Sequence, residues 1–158
     1  MRTLGASVRA HTATAQDIPA ATAAVRELLI ELGGDPPPQV AMERAARALL
    51  ANTDAGTLIV AEVDGALAGV LAASWQLALH AAGRYALIQD LWVDPEWRGE
   101  GAGRELLAAL YRRVGELGMT RVEVGLPRES YPALAATKAF YAANGFRPLG
   151  IRMRRGLG

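Results

Sequence analysis

The sequence predicts one α/β domain of the α+β kind, built on a mixed, mostly antiparallel sheet with helices packed against it. Three observations lead there. Segments rich in β-branched residues and bounded by turn signals cluster in the middle of the chain, and amphipathic helical stripes lie on either side of them. Between the two vocabularies, at Gln89–Leu107, an apolar strand runs through an Asp-Pro turn and a glycine-rich loop into a helix. At 158 residues, 51% hydrophobic and 21% charged, the chain is long enough to bury a core as a single domain spanning 1–158. There is no internal repeat and no second-domain boundary.

Composition narrows the function classes. A net charge of +1 gives no reason to expect nucleic acid or an anionic membrane as partner. The absence of cysteine removes disulfides, thiolate zinc sites and a cysteine nucleophile. His11 and His80 are far apart, so no metal site is expected. The longest uncharged stretch, roughly 66–79, is shorter than the ~20 residues of a membrane-spanning helix, and the polar N-terminus lacks a signal-peptide pattern. A cytoplasmic protein is the expectation.

In chain order, residues 8–12 read as a first strand. Thr14 and Asp17 have the spacing of a capping box with Asp in place of Glu, and Ile18, Ala21, Val25, Leu28, Leu29 and Leu32 follow at helical spacing up to Gly33-Gly34. Three prolines, Pro36 to Pro38, make a stiff connector to an alanine-rich helix over 40–50. Residues 57–63 read as a strand, Asp64-Gly65 as a hairpin turn, 67–79 as its partner and 85–93 as a third strand of the meander. Leu106, Leu107, Leu110, Val114 and Leu117 form one helical stripe that Gly118 ends. A strand over 120–126, a short helix over 134–143, and a final strand in which Leu149, Ile151 and Met153 alternate with arginines complete the prediction.

The glycine loop is an anion cradle by construction, because glycines admit close backbone approach and the first helical N–H groups lack partners within the helix. Two common nucleotide readings fail. A P-loop needs Gly-Lys-Ser/Thr, whereas Gly103 is followed by Arg104-Glu105. A dinucleotide fingerprint needs a third glycine where Arg104 stands; Glu123 lies near the offset of the ribose-binding acid, but Gly99 is too far from the strand end at Val93. What remains is Arg98-x-x-Gly101-x-Gly103, preceded by Leu91-Trp92-Val93-Asp94-Pro95 and followed downstream by Phe140-Tyr141-Ala142-Ala143-Asn144-Gly145-Phe146.

In that combination and order the sequence resembles the GNAT-type N-acetyltransferase superfamily, well over residues 85–153 and by element order before them. The resemblance implies a sheet splayed between its fourth and fifth strands, helices on both faces, and acetyl-CoA as cosubstrate. It assigns the pyrophosphate mostly to the main chain of Arg98, Gly99, Glu100, Gly101, Ala102, Gly103 and Arg104, with the Arg98 and Arg104 side chains either adding a direct phosphate contact or standing exposed to solvent, and the pantetheine arm to main-chain groups of Leu91, Trp92 and Val93. Trp92 lines the acyl or acceptor pocket on this reading, or else belongs to the core. Tyr141 matches the family tyrosine beside the thioester sulfur, and Lys138, one turn earlier, is a candidate phosphate contact. The acceptor is a small-molecule or peptide amine, and a homodimer is one assembly that the family adopts.

Two departures leave questions open. Leu134 stands where many members have an asparagine seven residues before the tyrosine. Gln89-Asp90 replaces the usual acidic pair, so the general base is Asp90, a water oriented by Gln89, or His80. Strand alternation puts Gln89 and Asp90 on opposite faces unless a bulge intervenes. The reaction class these residues imply is acetyl transfer to a primary amine by direct attack in a ternary complex. A non-catalytic acyl-CoA-binding or regulatory module with the same cleft is the competing class, and a nucleotide-binding protein a third.

Overall fold

The computed structural model describes residues 7–158; the expected leaderless N-terminus falls largely on residues 1–6, outside them. The chain divides into two compact units that meet at Glu123 and Val124. Helices α1 (Ile18–Glu31), α2 (Gln39–Ala51) and α3 (Ala102–Glu116) belong to the first, together with strands β1 (Arg9–Thr12), β2 (Gly56–Val63), β3 (Ala66–Ala78) and β4 (Gly83–Val93). Strand β5 (Val122–Val124) lies at the boundary, and α4 (Leu134–Ala143) belongs to the second unit.

The sheet has the order β1-β2-β3-β4-β5. The first four strands are antiparallel neighbours joined as a meander, and β5 is reached through the α3 crossover, which returns the chain in the same direction and makes the sheet mixed. Two-faced burial follows from alternation. Leu58, Val60, Val70 and Trp92 point to one face and pack with Ile18, Ala21, Val25 and Ala46 of α1 and α2. Gly69, next to Val70, faces the other way, and a Cβ placed there would meet Leu106 of α3 at 3.1 Å and the Trp92 carbonyl at 2.8 Å. Its lack of a side chain is what lets α3 lie this close to the sheet. Leu106, Leu107 and Leu110 are fully buried on that side, each worth about 1.5–3 kcal/mol relative to exposure.

Local chemistry explains the element ends. The Thr14 N–H donates to the Asp17 carboxylate at 2.7 Å, the expected capping box, and a single 3-10 turn over Ala15–Asp17 leads into α1. Strand β5 is shorter than the expected 120–126, because Gly125 has no side chain to pack and Pro127 removes a donor and restricts its predecessor. The pairing of β4 with β5 is therefore short. β5 contributes three residues, about 10 Å, beside the 11 residues of β4, about 36 Å. The Ala86 N–H donates to the Arg121 carbonyl at 3.0 Å, near the start of β4, so the C-terminal end of β4 runs on beyond β5.

In the second unit, α4 has the predicted bounds and closes through the Asn144 side chain, which donates to the Phe140 carbonyl at 2.8 Å, with Gly145 at φ +88°. The expected final strand is a correction. Residues 147–158 form no strand, and Leu149, Ile151 and Met153 are 82%, 97% and 99% exposed. Alternation satisfies the period of a strand, but a strand also needs a ladder partner for its backbone groups, and a sequence pattern does not supply one.

Candidate active site

Strand β4 ends at Val93, and the chain turns at once. The Asp94 N–H donates to the Ala68 carbonyl at 2.8 Å, while the Asp94 carboxylate accepts the Glu96 N–H at 2.8 Å across Pro95. Gly99 and Gly101 then take φ of +79° and +91°. A Cβ at either position would meet nothing within 4 Å, so backbone handedness rather than crowding requires glycine. Gly101 caps α3 with no side-chain hydrogen bond, and the Gly101 carbonyl receives the first helical bond from the Glu105 N–H at 3.0 Å. The N–H groups of Ala102, Gly103 and Arg104 precede that bond and have no partner inside the helix. They form the positive end of a 15-residue helix, directly behind two left-handed glycines.

The Arg98 side chain is engaged elsewhere. Its Nε donates to the Val93 carbonyl at 2.9 Å and its Nη2 to both carboxylate oxygens of Glu31, at 2.8 and 3.0 Å. The same Glu31 accepts the Trp92 indole N–H at 3.1 Å. Glu31 is the last residue of α1, two positions before the Gly33–Pro38 connector, and Arg26 of α1 donates to the Pro37 carbonyl in that connector. Glu100 and Arg104 are exposed, and Ala102 and Gly103 are buried.

A bulge decides which way the acidic position faces. The β3–β4 register steps from Ala72↔Asp90 to Ala73↔Ile88, leaving Gln89 as the extra residue. Ala72 shares the α1/α2 face with Val70, and Asp90 lies opposite it. Gln89 Nε2 donates to the Ser74 hydroxyl at 2.9 Å, and Gln76 Nε2 donates to the same oxygen at 2.8 Å. Gln89 and Asp90 therefore look to the same side, against simple alternation, and Trp92 joins them there. Leu91 and Val93 point to the α3 side, where Val93 packs against Val63, Ala68 and Ala102. Burial alone pushes the Asp90 carboxyl above its ordinary value, and it has no ion-pair partner among the described residues.

The second unit carries the other two residues singled out by the sequence. Tyr141 is 8% exposed, with the rings of Phe140 and Phe146 both at 5.2 Å in edge-on contact. Lys138, one turn earlier on α4, is exposed. His80 sits in the turn between β3 and β4, 5.9 Å from the Tyr85 ring.

Residues 22–146, more than half of the chain, match the model of the acetyltransferase (GNAT) family. The chain belongs to that family. Solved structures agree in fold. An aminoglycoside N-acetyltransferase in complex with CoA superposes with a TM-score of 0.81 at 16% identity, covering 99% of each chain. A predicted acetyltransferase from Clostridium acetobutylicum, solved with acetyl-CoA, gives 0.77 at 17% identity over 95% of this chain and 96% of its own. An integron cassette protein from the mobile metagenome of Cole Harbour Salt Marsh gives 0.75 at 26% identity, over 96% and 89%. No curated protein matches at a significant level.

In this acetyltransferase the structure gathers Asp90–Val93 and Arg98–Arg104 on one strand, turn and helix start, as the motif order implied. It adds Glu31, Ser74 and Gln76, which the sequence reading missed. Ser74 and Gln76 had a signal, two polar residues spaced by two within an otherwise apolar strand. Glu31 had none, being a glutamate at a helix end whose partners lie 61 and 67 residues away. Among the described residues no helix is long and apolar enough to cross a membrane.

Proposed function

We propose that this chain transfers the acetyl group of acetyl-CoA to a primary amine of a small molecule or peptide, by direct attack within a ternary complex, as one acetyltransferase domain. The observation that carries this reading is the loop after β4, where two left-handed glycines precede the uncapped start of α3. That cradle suits a pyrophosphate, and the end of β4 that outruns β5 offers main chain to an extended pantetheine arm. The CoA-bound and acetyl-CoA-bound fold neighbours support the same cosubstrate, and the family match runs across the boundary between the two units.

The chemistry follows from the donor set. An alkyl amine, with a pKa of about 10.4 when lysine-like, arrives protonated and must lose a proton before it attacks. Asp90, whose basicity is raised by burial, takes that proton through water, with Gln89 and Ser74 beside it to orient the water. Nitrogen adds to the thioester carbonyl, and main-chain N–H groups of Leu91 to Val93 stabilise the oxyanion. The C–S bond then breaks, and the Tyr141 hydroxyl delivers a proton to the departing thiolate. Trp92, anchored by its indole N–H, walls the acceptor side.

The test is release of free thiol from acetyl-CoA across an amine panel, with titration calorimetry of acetyl-CoA alongside. We expect turnover on at least one amine, and Tyr141→Phe to slow it by about 100-fold or more with little change in acetyl-CoA affinity. Tight binding without turnover on any amine would instead indicate a non-catalytic acyl-CoA-binding module. Wild-type rates for Tyr141→Phe would remove the tyrosine from the mechanism.

A further inference from the structure

We infer that Glu31 is a positioning residue for the cofactor loop, turning the Arg98 guanidinium to the back of that loop so that Arg98 braces main chain instead of touching phosphate. The inference rests on the acetyl-CoA reading and concerns what holds that site in shape.

The geometry is specific. Arg98 opens the Arg-x-x-Gly-x-Gly motif, and a guanidinium there is the obvious candidate for direct phosphate binding. Its Nε and Nη2 donors are directed otherwise, Nε on the Val93 carbonyl at 2.9 Å and Nη2 on Glu31 at 2.8 and 3.0 Å. One side chain thereby ties the end of β4 to the end of α1, five residues upstream of it in one case and 67 in the other. Glu31 also receives the Trp92 indole N–H at 3.1 Å, so a single carboxylate holds the first residue of the loop and a large ring on the α1/α2 face of the sheet. Beyond Glu31 the chain continues into the connector that Arg26 pins at the Pro37 carbonyl. The Glu31 charge offsets that of Arg98 next to the cradle, which leaves the N–H groups of Ala102 to Arg104 as the anion-binding groups. Lysine could not substitute at position 98, because one ammonium lacks the planar fork that reaches a carbonyl and a carboxylate together.

This assignment and direct phosphate binding by Arg98 predict opposite results. Glu31→Gln keeps volume and an acceptor for Trp92 but sets an amide against the Arg98 donors. We expect acetyl-CoA affinity, measured by titration calorimetry, to fall by roughly 3- to 10-fold, the scale of a half-exposed pair with charge-assisted bonds. Arg98→Lys should fall by a similar factor although it keeps the charge, and the double variant should be no worse than the weaker single one. Thermal melting of each variant shows that the loss belongs to the folded protein, and Arg98→Lys decides the matter should Glu31→Gln fail to fold. Unchanged or tighter binding by Glu31→Gln, or wild-type binding by Arg98→Lys, would overturn the inference while leaving acetyl-CoA as cosubstrate. A wild-type protein that binds no acetyl-CoA would overturn the acetyl-CoA reading, and this inference with it.

Discussion

The two faces of β4 do different work with neighbouring residues. On the α3 side, Leu91 and Val93 are apolar and partly buried, Val93 packs against Val63, Ala68 and Ala102, and Gly69 across the ladder leaves room for Leu106. On the α1/α2 side the same stretch presents Gln89, Asp90 and Trp92, with Gln89 donating to Ser74 and Trp92 to Glu31. One inserted residue separates these regimes. Without the bulge at Gln89, only one of Gln89 and Asp90 would face the polar side. The contrast teaches that β4 gathers its polar groups on one face, the one whose Trp92 also joins the α1/α2 core, and that this face holds a carboxylate whose ionisation works against the fold.

The largest effect that would break this division is on the packed side. Leu106 has no exposed surface, so Leu106→Ala should lower unfolding free energy by about 2–5 kcal/mol in denaturant titration. The variant protein that remains folded should keep its thiol-release rate. A matching loss of activity at low temperature, where the variant is folded, would mean that the faces are not separable.

A smaller effect is expected at the junction between them. Gly101 holds φ +91° at the head of α3, so Gly101→Ala should cost about 1 kcal/mol or somewhat more in stability through backbone strain alone. It should also weaken acetyl-CoA binding, because the strain falls on the turn that presents the free N–H groups. A stability loss with unchanged affinity would show that the turn is not the cradle.

The smallest and most diagnostic effect is one of sign. Burial raises the Asp90 carboxyl pKa in the folded state, so the proton is held more tightly folded than unfolded. Its contribution is therefore fully present below the unfolded carboxylate pKa and is lost as pH rises through the folded value. Asp90→Asn, which cannot ionise, should melt slightly higher than wild type at neutral pH, and the difference should shrink as pH falls to the ordinary carboxylate range. A lower melting temperature at neutral pH would mean that the ionised carboxylate has a stabilising partner.

Much of this arrangement could be read from residues alone, and the remainder for a stated reason could not. Helix α4 and the Asp64-Gly65 hairpin were legible because capping, glycine conformation and apolar period are local properties. The glycine loop was legible for the same reason. A bulge was foreseen only as the condition under which Gln89 and Asp90 share a face; its place was not legible, since register depends on which residue of β3 pairs with which of β4, and nothing in Gln89-Asp90 specifies the extra residue. Glu31 was invisible because its partners are distant in the chain. The final strand was overread, because alternation of Leu149, Ile151 and Met153 describes a segment able to pair rather than one that does.

The most direct measurement of the central claim, that the polar face of β4 performs the transfer, is thiol release by Asp90→Asn as a function of pH on an amine that wild type acetylates. We predict a loss of about 100-fold or more in kcat/KM with acetyl-CoA affinity unchanged, and a wild-type profile whose acidic limb lies above the ordinary aspartate range and disappears in the variant. Equal rates with the same pH profile would contradict the account.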